Sequence, residues 1–165
     1  MVVRGSHVYV DTNVILESHR CSCWKALAGT FALDTVCRCI EECATGNRSA
    51  CAVQVDCDEL AHQLAPKSVQ PEWVADLTMC LGGQVFLDPG EAELLAYVIH
   101  DTDAWFICSP DRAAIRAAWL LGLLDRVVAL EAMASQTGSR PPLRRHFTEP
   151  WLAQVRTDLA LEGMN

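Results

Sequence analysis

The sequence predicts a single α/β domain on a parallel sheet, and three observations carry the prediction. Five short β-rich runs alternate with longer stretches of helical character. The length, 165 residues, with 51% hydrophobic and 21% charged, suits one packed core and excludes a largely disordered chain. Acidic residues recur just past the β-rich runs, where parallel α/β sheets gather functional groups.

The runs are His7–Val10, Phe31–Val36, Gln84–Leu87, Ala104–Cys108 and Arg126–Leu130, read as about five parallel strands with helices on both faces, a three-layer sandwich. Between the second and third runs lies a helical insertion with patterns at Cys57–Leu64 and Glu72–Leu81, punctuated by 46–49 and by 65–71. Leu94, Leu95, Val98 and Ile99 form one apolar face within Glu91–His100, and Ala113–Leu121 is rich in helix formers. Residues 1–138 form the expected domain. Residues 139–165 form a linker and a last helix, with Thr148 as cap, Pro150 in the first turn, and Trp151, Leu152, Val155 and Leu159 as the docking stripe.

The net charge is −8, which excludes a protein that coats nucleic acid by bulk positive charge. The excess is local: residues 1–110 hold 15 Asp+Glu against 6 Lys+Arg, whereas residues 111–165 hold 6 against 7. Nine cysteines, an odd number, follow an N-terminus without a secretory signal pattern, so reduced thiols in the cytoplasm are expected. The longest uncharged apolar stretch, Leu77–Leu87, has 11 residues, short of the roughly 18 of a membrane span.

Asp11 ends the first run and is followed by Thr12-Asn13; it suits a helix cap as well as a catalytic acid. After the second run, Cys37 to Gly46 reads as a short helix closed by a glycine, with Glu42 better placed than Glu41 to turn toward the sheet. Asp88-Pro89-Gly90-Glu91 turns into the next helix, where Glu91 also suits the helix dipole. Ser109-Pro110-Asp111-Arg112 puts a further acid after the fourth run. Four acids at one end of one sheet, Asp11, Glu42, Glu91 and Asp111, repel one another unless a cation joins them, and oxygen ligands of this kind select Mg²⁺ or Mn²⁺.

Asp11-Thr12-Asn13, the acid in the short helix, Gly90-Glu91-Ala92-Glu93 and Ser109-Pro110-Asp111-Arg112 together resemble the PIN domain, a fold of metal-dependent ribonucleases, over residues 7–138. The Gly-Glu-Ala-Glu form is similar to one subgroup in which Glu replaces the more common Asp. The resemblance implies a sheet order of 3-2-1-4-5. It also implies metal-binding and catalytic roles for Asp11, Glu42, Glu91 and Asp111, with Thr12 and Asn13 in support. Pro110 departs from the pattern, since many members carry another acid there, and the register is open between Glu41 and Glu42 and between Glu91 and Glu93. The implied activity is hydrolysis of phosphodiesters in single-stranded or structured RNA by a metal-activated water. Arg112 and Arg116, with Arg140, Arg144, Arg145 and His146, are the cations available to RNA. The partners it implies are RNA, an antitoxin protein if the chain is the toxin of a toxin-antitoxin pair, and a second copy in a homodimer. The alternative is a non-catalytic PIN-like module that binds RNA or protein.

Rival readings are weaker. Haloacid dehalogenase-like phosphatases and receiver domains need a downstream lysine, and none follows Lys67. His19-x-Cys21-x-Cys23 and Cys37-x-Cys39-x₃-Cys43 offer soft ligands for zinc, but with one-residue gaps that structural zinc sites do not favour.

Overall fold

The computed structural model describes residues 1–45, 55–101 and 103–164. Among them are four strands, β1 (His7–Val10), β2 (Ala32–Asp34), β3 (Trp105–Cys108) and β4 (Val127–Val128), all parallel, in the order β2-β1-β3-β4. The helices are α1 (Thr12–Arg20), α2 (Trp24–Ala28), α3 (Cys37–Thr45), α4 (Cys57–Leu64), α5 (Pro71–Leu81), α6 (Pro89–His100), α7 (Arg112–Leu120), α8 (Leu130–Gln136) and α9 (Glu149–Glu162). None of the described helices is long and apolar enough to cross a membrane.

Side chains on a strand point alternately to opposite faces, and that period builds the three layers. Tyr9, Trp105, Ile107 and Val127 enter one apolar core with residues of α5, α6, α7 and α9. Val8, Val10, Cys108 and Val128 enter the other, against α1, α2, α4 and α8. β1 lies between β2 and β3, so the chain leaves β1 first to one side and later returns to the other. In open parallel sheets such a reversal is where a crevice forms, here beyond the carboxyl ends of β1 and β3.

The expected strand over Gln84–Leu87 is corrected: none of its residues is in a strand, so the described residues form four strands and not five. Val85 and Leu87 are half-buried against the core while Phe86 is 91% exposed, so the apolar run anchors a loop entering α6. The edge it was expected to pair is met instead by the chain before α5, where the Cys37 amide donates to the Lys67 carbonyl (2.9 Å) and the Lys67 amide to the Thr35 carbonyl (2.9 Å). The last strand is also shorter than expected, because Leu130 already begins α8. The turn expected over 46–49, including the glycine closing α3, lies outside the described residues.

The tail docks by burying Leu152, Val155 and Leu159. Its linker is fixed by Glu17, 2% exposed on α1. The Glu17 carboxylate accepts two bonds from the Arg20 guanidinium, both 2.7 Å, and one from the Arg144 amide at 2.8 Å; Arg20 also donates to the Pro142 carbonyl (2.7 Å). Burial acts to raise the Glu17 carboxyl, but these donors hold it below the usual range. Glu17→Gln should therefore destabilise the protein by about 1–3 kcal/mol, the worth of hydrogen bonds to a charged group. Chemical unfolding reads the loss, and limited proteolysis should cut more readily between Ser139 and Arg145.

Candidate functional site

The crevice is lined by helix starts, which explains why its acids are where they are. Asp11 caps α1: one carboxylate oxygen accepts the Val14 amide (2.8 Å) and the other accepts the Ser109 hydroxyl (2.6 Å). Asp111 caps α7 by accepting the Ala113 amide (2.6 Å), and its own amide donates to Ser109 Oγ (3.2 Å). Ser109 thus ties the two acids together from the end of β3. Asp88 and Glu91 share a capping box at the start of α6: Asp88 accepts the Glu91 amide (2.9 Å), and Glu91 Oε2 accepts the Asp88 amide (3.2 Å).

Asp11 is 3% exposed, and burial pushes its carboxyl up to about 7; the bonds from Ser109 and Val14 oppose the rise, and the charges of Asp111 and Asp88 add to it. Glu91, 6% exposed, is likewise pushed up, first by burial and then by Asp111, Asp88 and Asp11. Its Oε1 is buried without a hydrogen-bond partner. An orphaned buried oxygen is costly, so it marks a place where a ligand would be favoured.

Glu42 joins from α3. Its Oε2 accepts the Thr12 hydroxyl (2.7 Å), its Oε1 accepts the Gly90 amide (3.0 Å), and Arg38 Nε stands 3.8 Å away. Thr12 therefore binds a site acid, while Asn13 beside it is exposed. At the two corners with an open register the acids differ in surroundings. Glu41 is exposed and pairs with Arg38 at 3.3 Å, and the half-buried Glu93 feels Arg38, Glu41 and Glu42 rather than Asp11 and Asp111.

Arg112 and Arg116 each pair with an acid of α9. Arg112 bonds Asp158 at 2.8 Å, and Arg116 pairs with Glu162. The His19 ring stacks on Trp24 (5.2 Å), the Cys21 thiol lies 3.4 Å from the Pro142 carbonyl, and Cys39 is buried 3.9 Å from the Gly90 carbonyl. Two residues of the crevice, Ser109 and Asp88, stand in the stretches quoted from the sequence but were given no role in the site. The Asp-x-x-Glu spacing of Asp88 and Glu91 is a capping-box signal that identifies the second; nothing in a lone serine identifies the first.

Among the described residues no three or more His, Cys, Asp or Glu side chains already converge as metal ligands. The chemistry of the donors nevertheless fits a hard cation: the groups are all carboxylates, two are pushed up by burial and by neighbouring carboxylates, and one presents an unpartnered oxygen. The chain matches no protein-family model, and no curated protein matches it in sequence.

Two outcomes are expected. A carboxyl raised from 3.8 unfolded to about 7 folded binds its proton more tightly in the folded chain, so its contribution to stability falls as pH rises through that window. Wild type and Asp11→Asn should therefore diverge by about 2–4 kcal/mol in favour of the variant between pH 4 and pH 7.5, read by denaturant titration without divalent ions. Millimolar Mg²⁺ or Mn²⁺ should close much of that gap at pH 7.5 and little of it at pH 5. Separately, a Cβ on Gly90 would stand 2.8 Å from the Glu42 carboxyl carbon, so Gly90→Ala should expel that carboxylate and cost about 1–3 kcal/mol. Glu42→Ala should relieve most of the Gly90→Ala cost in a double-mutant cycle.

Proposed function

We propose that the chain is a metal-dependent endoribonuclease of the PIN-domain kind, hydrolysing phosphodiesters in single-stranded or structured RNA. The observation that supports it most is that Asp11 and Asp111 follow two adjacent parallel strands and are tied through Ser109, while burial and neighbouring carboxylates destabilise the ionised forms of Asp11 and Glu91. Such an arrangement is costly for a fold and useful for a site.

Asp11, Glu91 and Asp111 would hold Mg²⁺ or Mn²⁺, with Glu42 completing the set. When bound, the ion supplies a lowered water pKa and neutralises charge at the phosphate. The chain's own residues do the rest. Hydrolysis adds a water oxygen to phosphorus and breaks one P–O ester bond, so one proton must leave the water and one must reach the departing oxygen. Glu42, partly exposed and oriented by Thr12 and Gly90, accepts the water's proton. Ser109 fixes the Asp11 carboxylate against the start of α7, so that Asp11 and Asp111 keep one mutual orientation. A cytoplasmic setting, an antitoxin partner and a homodimer are the accompaniments of this reading.

The test is direct. Purified protein should cleave single-stranded RNA with Mn²⁺ or Mg²⁺ and stop in EDTA, and Asp11→Asn or Asp111→Asn should lower the rate at least about 100-fold with the far-ultraviolet circular dichroism unchanged. Cleavage that persists in EDTA, or that survives both substitutions, overturns the reading. RNA binding without any cleavage would assign the chain to the non-catalytic class.

A further inference from the structure

One exposed aromatic stands two residues before Asp88, whose charge acts on Asp11 and Glu91. From Gln84 to Asp88 burial alternates: Gln84, Phe86 and Asp88 are exposed, whereas Val85 and Leu87 are half-buried against the core. This is the two-residue period of an extended chain, so Phe86 and Asp88 project to the same side. Val85 and Leu87 anchor the segment on either side of Phe86, and the capping box of Asp88 and Glu91 fixes its far end. Phe86 cannot turn inward without withdrawing one of those anchors. At 91% exposure it is the only aromatic among the strongly exposed large apolar side chains of the described residues. Chain geometry keeps its Cα within about 7 Å of that of Asp88.

A large apolar ring left in water beside a site for polyanion chemistry gains most from a flat partner whose own charge faces the crevice. A nucleobase is such a partner: its π-face stacks on an aromatic ring while its phosphate extends away. A peptide or a second protein would need a contiguous apolar patch, and the chain neighbours of Phe86, Val85 and Leu87, are half-buried. We propose that Phe86 is a base-stacking residue that holds an unpaired nucleotide next to the phosphate at the crevice, selecting single-stranded over duplex RNA. The proposal rests on the ribonuclease reading and adds to it a determinant of substrate strandedness.

The experiment measures binding in the Asp11→Asn background, where cleavage does not obscure affinity, using a fluorescently labelled single-stranded oligoribonucleotide and its duplex. Phe86→Ala should weaken single-strand binding about 5- to 100-fold, Phe86→Trp should retain or tighten it, and duplex binding should change little. Val3→Ala, an exposed apolar change before β1 at the opposite end of the strands, is the control and should leave both affinities alone. Unchanged single-strand affinity in Phe86→Ala, or an equal loss for single strand and duplex, overturns the stacking role. If the wild type nevertheless cleaves RNA with metal and Asp11→Asn abolishes it, the ribonuclease reading survives that failure. If the wild type neither binds nor cleaves RNA, both fall together.

Discussion

The arrangement of this molecule turns on a single buried carboxylate. Asp11 lies where β1, α1 and the turn after β3 meet, and it accepts one bond from each of the latter two. A carboxylate in that position must be either satisfied by fixed donors or relieved of its charge, and here both occur in part. Ser109 is held to it, Asp111 is held to Ser109, and α7 starts from Asp111. The spacing between the two central strands is thereby transmitted to the start of a helix on each face of the sheet. Glu42 does the same from outside, bridging the starts of α1 and α6 through Thr12 and Gly90.

Much of this was legible in the sequence, for identifiable reasons. The acids after β1 and β3 were visible because short β-rich runs ending in Asp, followed by helix formers, are a local signal with a local cause. α4, α5 and α9 fall close to their predicted bounds because their apolar spacing and their proline or aspartate starts agree. The stretch Gln84–Leu87 misled because β-branched and aromatic residues report burial and extension, not pairing. Two of its side chains are half-buried, yet none of its residues pairs in a strand. The partners of Glu17 and Ser109 were hidden for another reason: Arg144 and Asp11 are distant in sequence, and periodicity carries no information about contacts 127 and 98 residues apart.

The distribution of charge acquires a physical sense from the fold. The surplus acid of the first 110 residues is partly consumed at the crevice, where burial and then proximity to other carboxylates make ionisation costly. The basic residues of the remainder are used to bring the tail home: Arg112 and Arg116 hold Asp158 and Glu162, and Arg156 donates to the carbonyls of Leu124 and Val127 at 3.2 and 2.7 Å. The last helix is therefore bound on one side by its apolar stripe and on the other by ion pairs that are open to water and sensitive to salt.

That Asp11, Asp88 and Asp111 are helix caps has a consequence for descent. Asparagine caps a helix about as well as aspartate, yet lacks its charge. A lineage could exchange these acids one at a time and still keep every helix start in place; relief of crowded charge would even reward the change. Under the proposed reading, such a fold can shed activity in small, tolerated steps while its outline persists.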